Sequence, residues 1–153
     1  MKRSNPFFEA ARRAGVSPGA PFRHFPSRDA LGRFRCLGLA YLRWALKNPT
    51  HFEIISSRRL FDHDKRASVS QDNAELIDLT ERTLAEAFTQ GQLRATDLKQ
   101  VQIAGRALVY GFARMNIDGH FPRWSVAGAD AECTAEGILD LFIEGIASGP
   151  KNS

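Results

Sequence analysis

At 153 residues, with 43% hydrophobic and 25% charged residues, the chain suits one globular domain with room for a small appendage, which excludes global disorder. No apolar run approaches the roughly 18 residues needed to span a bilayer. The basic start "MKRSNPFFEAARRAG" leads into no apolar segment of signal-peptide type, so a cytoplasmic protein is expected. The net charge of +4 hides an asymmetry. Residues 1–66 carry 14 Lys/Arg against five acids, a net +9, and residues 67–153 carry seven against twelve, a net −5. Such a split fits a chain with one end facing a polyanion, and equally fits arginines on solvated helix faces.

Strand signals are almost absent and helical periodicity recurs, so the predicted fold class is all-α. Phe7–Ala14 reads as a short helix stopped by Gly15, a residue suited to a left-handed end. Ser17 caps the next helix, with Pro18 at its first position, where a missing N–H costs nothing. Pro26 closes that helix. Ser27 then caps a third, Arg28–Lys47, with Asp29 well placed against its N-terminal dipole. Its apolar stripe is Leu31, Phe34, Tyr41, Leu42 and Ala45, loosened by Gly38, and "KNPTHF" ends it.

A helix over His51–Phe61 follows, and then the polar stretch "DHDKRASVSQDN" is expected to be a mobile loop. Asn73–Gln90 is amphipathic, with Ile77, Leu84 and Phe88 on one face and Gly91 after its end. Thr96 caps a long helix to Asp118, and Asp130–Ala147 supplies the last. These two carry "VQIAGRALVYGFARMNI" and "GILDLFIEGIA", apolar around most of their circumference, and such helices require burial on all sides. A homodimer through a four-helix bundle meets that need, with an interior helix of the monomer as the alternative. The expected interface is Ala104, Leu108, Gly111 and Met115 on one helix with Leu139, Phe142 and Ile146 on the other.

No enzymatic pattern is present: there is no Gly-rich phosphate loop, G-x-S-x-G or Cys/His pair. His51, His63 and His120, with Asp62, Asp64 and Asp118, lack HxxxH or HExxH spacing, so neither a metal nor a cofactor is expected. Cys36 and Cys133 read as free thiols. The aromatic set is large for this length. Most of it reads as core, but part can line an apolar ligand pocket, for which the candidates are Trp44, Phe61, Phe88, Tyr110 and Met115.

The span Phe7–Phe25 has the form helix, glycine turn, helix, the plan of a helix-turn-helix whose second helix enters the DNA major groove. Arg23, Arg28 and the Ser17 hydroxyl suit phosphate contacts, which set register without reading sequence. "AARRAGVSPGAPFRHFPSRDAL" resembles the DNA-binding signature of the TetR/AcrR family of bacterial repressors, roughly A-x-x-A-G-V-S-x-G-x-x-Y-x-H/Y-F-x-S-K-x-x-L. The matching residues are Ala11, Ala14, Gly15, Val16, Ser17, Gly19, Phe22, His24, Phe25, Ser27, Arg28 and Leu31. "GLAYLRWALKNPTHFEII" and "RALVYGFARMNIDGHF" resemble a ligand-binding C-terminal domain from one branch of that family.

The resemblance implies two units: a DNA-binding element over 1–30 and a ligand-binding and dimerisation domain over 31–150. It implies a homodimeric repressor on a double-stranded, near-palindromic operator, released by a small apolar ligand. On that pattern Ser17, Pro18, Ala20 and Pro21 face base edges and sugars. Phe22 stands where the family usually has a phosphate-binding tyrosine, His24 approaches the backbone, and Arg28 replaces a phosphate-gripping lysine. Two departures stand out: only "MKRSNP" precedes Phe7, and "DALGRFRCLGLAYLRWAL" is shorter than the family's connection. They leave open a second expectation, a dimeric relative that binds a small molecule or partner protein without binding DNA.

Overall fold

The computed structural model describes residues 29–56, 67–94 and 97–149, the side chains of 67–73 excepted. Every regular element among them is helical. In chain order these are α1 (Ala30–Lys47), α2 (Pro49–Ser56), α3 (Ala67–Thr89), α4 (Leu98–Ile117) and α5 (Ala131–Ile146). Two short 3-10 turns, Phe121–Trp124 and Gly128–Asp130, fill the link between α4 and α5. The all-α expectation holds.

Helix α1 is the centre of the arrangement and packs against α3, α4 and α5. It buries Ala30, Leu31, Phe34, Cys36, Leu37, Leu39, Leu42 and Ala45, more than a single stripe. Helix α4 buries Gly105, Val109, Phe112 and Ala113, and α5 buries Ala131, Ala135 and Leu139, each a single stripe at helical spacing. Within the chain, then, the helix enclosed on several sides is α1, and the two C-terminal helices keep an open face.

Three apolar clusters form the core. Leu39, Leu42, Val109, Phe112, Phe121, Ala135 and Leu139 join α1, α4 and α5. Ala30, Leu31, Phe34, Leu84, Ala87 and Leu93 join α1 to α3 and the turn after it. Ala45, Phe52 and Ala113 join α1, α2 and α4. Ala30 and Leu31, the expected boundary between the two units, both lie within this core.

Helix termini follow local chemistry. Asp29 caps α1, its Oδ1 accepting from the Gly32 N–H at 3.0 Å. The cap is therefore two residues beyond the expected Ser27, which lies outside the described residues. Asp97 caps α4 by accepting from the N–H groups of Lys99 (3.0 Å) and Gln100 (3.3 Å), one residue beyond the expected Thr96, also outside them. A carboxylate satisfies the orphan N–H groups and opposes the positive helix end, so it outcompetes a nearby hydroxyl. Replacing Asp29 with alanine is expected to cost about 1 kcal/mol, read from a urea titration.

Helix α3 begins at Ala67, six residues before the expected Asn73, which corrects the loop assignment for 67–73; residues 62–66 lie outside the described set. "ASVSQDN" contains no proline or glycine to stop a helix, so polarity alone misled the reading. Helix α2 starts at Pro49 because Asn48 closes α1, donating to the Trp44 carbonyl at 2.9 Å, and accepts from the Phe52 N–H at 2.9 Å. The expected continuation of α2 over 57–61 is outside the described residues. Gly91 and Gly119, at φ 70° and 69°, end α3 and α4. In both, the next residue's N–H returns to a carbonyl five residues back: Gln92 to Ala87 and His120 to Met115, each at 2.9 Å.

The end of α5 is tied back to the turn after α3. Leu93 and Ala147 form an isolated antiparallel bridge, with Arg94 N–H to Ile146 O at 3.0 Å and Ser148 N–H to Gln92 O at 2.8 Å. The Gln92 Oε1 accepts from the Leu31 N–H at 2.9 Å. The start of α1, the α3–α4 turn and the end of α5 are therefore joined at one place.

Candidate functional site

A cavity of about 420 Å³ lies among α1, α3, α4 and α5, within the range of roughly 300–1,000 Å³ typical of small-molecule sites. Its apolar floor comes from Phe34 on α1, Val109 on α4, and Leu139 and Phe142 on α5. Two glycines set how closely these helices approach. A Cβ on Gly38 would meet Leu139 Cδ2 at 3.0 Å, and one on Gly105 would meet Phe34 Cζ at 3.1 Å. Both contacts are tighter than side chains ordinarily accept, so the glycines allow the neighbouring residues to close over the helix backbone.

The polar lining is ordered. Gln102 spans from α4 to α3, its Nε2 donating to Thr80 Oγ1 at 2.7 Å and to the Ile77 carbonyl at 2.8 Å. Its Oε1 accepts from Lys99 Nζ at 2.9 Å, and that ammonium lies 3.5 Å from the Glu81 carboxylate. Arg35 donates from Nε to Asp140 Oδ1 at 2.5 Å. That hydrogen bond raises the guanidinium's pKa and lowers that of the carboxyl. The Arg106 guanidinium sits over the Tyr41 ring, 4.8 Å from its centroid. Burial raises the pKa of the Tyr41 phenol, so it is uncharged at neutral pH.

Arg35, Lys99 and Arg106 thus all face the cavity, and none of its lining residues is a carboxylate. The wall as a whole is apolar with a cationic edge. Nothing in this arrangement brings together a nucleophile and a base. Among the described residues no group of three or more His, Cys, Asp or Glu is placed to hold a metal ion. Cys36 is buried, which raises its thiol pKa, and Cys133 is exposed.

The four described residues among those expected to line a pocket lie outside this cavity's lining. Trp44 packs against Phe52 and Tyr41, Tyr110 lies 5.7 Å from Phe52 between ring centroids, and Met115 packs on the first cluster. Phe88 is half exposed on α3, and Phe61 is outside the described residues. None of these four described positions lines this cavity. The lining on α1 recurs at Phe34, Gly38 and Tyr41, and on α4 at Gln102, Arg106 and Val109. Two glycine-bearing helical stripes with cations and no acids was the available signal in the sequence.

Ser17, Pro18, Ala20, Pro21, Phe22, Arg23, His24 and Arg28, the expected DNA contacts, all fall outside the described residues. Of the expected dimer residues, Leu139 is in the core, Phe142 and Ile146 pack on the second cluster, and Leu108 and Met115 pack half-buried on the first. Ala104 is exposed, and a Cβ on Gly111 would meet nothing within 4 Å. Among the described residues no helix is long and apolar enough to cross a membrane.

A family described as tetracyclin repressor-like, C-terminal domain, matches residues 34–142, which carry all but the last of the cavity-lining residues. No curated protein matches the chain. Among solved structures it is similar to a protein of unknown function from Rhodococcus sp. RHA1. The identity is 21% and the TM-score 0.60, covering 94% of this chain and 86% of that one, a likeness of fold.

Proposed function

The chain belongs to the tetracyclin repressor-like family through this C-terminal domain, and on that premise we propose that it is a ligand-responsive transcriptional repressor. In this reading it is a cytoplasmic homodimer. Residues 1–30 bind operator DNA, and a small apolar molecule in the cavity releases it.

The observation that carries the proposal is the position of α1. This helix follows the helix-turn-helix-like stretch directly, and it also supplies Phe34, Arg35, Leu37, Gly38 and Tyr41 to the cavity wall. Its 18 residues span about 27 Å, so a ligand wedged against its middle can shift its N-terminal end with the rest of the helix. The start of α1 is held by Gln92, and Arg33 is paired with Glu86 on α3. A shift of α1 against α3 therefore has defined contacts to break, which is the form of a two-state switch.

A gel shift on the DNA upstream of the protein's own gene tests the reading. A retarded complex is expected that weakens steeply with salt, by a log–log slope near 0.9 per phosphate contact. Arg23→Ala and Arg28→Ala are each expected to weaken binding to operator and random duplex alike, because phosphate contacts carry no sequence information. Absence of any complex, or a complex insensitive to salt, would remove the DNA-binding part of the proposal.

A further inference from the structure

We propose that the cavity takes an apolar monocarboxylate, its body against Phe34, Val109, Leu139 and Phe142 and its carboxylate at the Tyr41–Arg106 edge. This rests on the ligand-binding reading above and adds the chemical class of the ligand.

Charge matching is the reason. The lining holds three cations and no acid. Two of the cations are already neutralised from outside the wall, Arg35 by Asp140 and Lys99 by Glu81. Arg106 has no carboxylate partner among the described residues; its contacts are the face and the hydroxyl of Tyr41. A cation over a ring is not neutralised, and the guanidinium keeps N–H donors for a planar, bidentate acceptor. One uncommitted positive charge calls for one negative charge.

Tyr41 supplies a second donor at the same edge. Its phenol is held in the protonated form by burial. An O–H beside a guanidinium offers two hydrogen bonds to a carboxylate, whereas a neutral ligand leaves the exposed Arg106 guanidinium to water. A cationic ligand would meet the one lining cation that has no carboxylate partner, Arg106. The apolar floor selects the rest of the molecule: it offers side-chain carbon, and the hydrogen-bonding capacity of Gln102 is already spent on Thr80, Ile77 and Lys99.

Calorimetric titration of the full chain with decanoate, decanol and decyltrimethylammonium tests the proposal with one apolar body and three head groups. Decanoate is expected to bind about tenfold or more tighter than decanol, with decyltrimethylammonium weakest. Arg106→Gln, at an exposed position, is expected to lower decanoate affinity by roughly tenfold or more and leave decanol unchanged. Tyr41→Phe, which keeps the ring, is expected to lower it by about threefold or more. Equal binding of decanol and decanoate, or an Arg106→Gln loss shared equally by both, would overturn the carboxylate while leaving an apolar ligand site standing. If none of the three binds, the proposal falls, and the ligand-binding reading falls with it if uncharged Nile red also fails to bind.

Discussion

Replacing Phe52 with alanine is expected to destabilise the domain by about 3–5 kcal/mol. Phe52 is 2% exposed and is among the largest fully buried side chains. Its ring lies 6.1 Å from Tyr41, 6.4 Å from Trp44 and 5.7 Å from Tyr110, two of these at steep interplanar angles favourable for aromatic edges. Removing it opens a space that α2, eight residues long, closes only by shifting as a unit against α1 and α4. The loss combines transfer free energy with a cavity term, which places it at the upper end for core truncations. A urea titration of Phe52→Ala beside the unmutated protein checks this. A loss below about 1 kcal/mol would mean that α2 is not a fixed part of the fold. The ligand cavity is the internal control: Phe52 is not in its lining, but Tyr41 touches both. Ligand affinity measured well below the melting point is therefore expected to change far less than stability.

The helices were legible because their punctuation was. Gly91 and Gly119 stand where a left-handed residue closes a helix, and "KNPT" offers a break and a restart in adjacent residues. The starts were read less well because two capping residues compete within a short span: Ser27 with Asp29, Thr96 with Asp97. Both contests go to the aspartate. The site was the least legible part. Trp44 and Tyr110 are large and half-apolar, which marks them as pocket candidates by type, but their helical phase turns them toward Phe52. Gly38, read as a gap in the stripe of α1, is where Leu139 seats against the helix. A cavity lined from four helices depends on which faces meet, and no single helix carries that information.

The proposed dimer gives the second large effect: Leu141→Asp is expected to convert a micromolar solution from dimer to monomer without unfolding the chain. Leu141 is 72% exposed in the single chain, so an aspartate there removes little intramolecular packing, and its cost to the folded monomer is expected to stay within about 0.5 kcal/mol. Gly137 and Gly145 lie one turn to either side on α5, and a Cβ on either would meet nothing within 4 Å. Gly111 on α4 is equally open, beside exposed Ala104 and half-buried Leu108 and Met115. Small residues around one large apolar side chain let two helices approach closely, and two such helices from each copy would make a self-complementary, isologous contact. Within that contact an unpaired carboxylate loses its hydration, at a cost of several kcal/mol in association free energy. The position matters. Leu139→Asp, at 3% exposure, strikes the core, and Phe142→Asp strikes the cavity and the second cluster, so both would unfold or empty the domain instead of dividing a dimer. Sedimentation at several concentrations, paired with a thermal melt, separates the outcomes. Monomer with an unchanged melt per chain supports the face; a Leu141→Asp protein as dimeric as its parent, or a parent already monomeric at micromolar concentration, rules the face out.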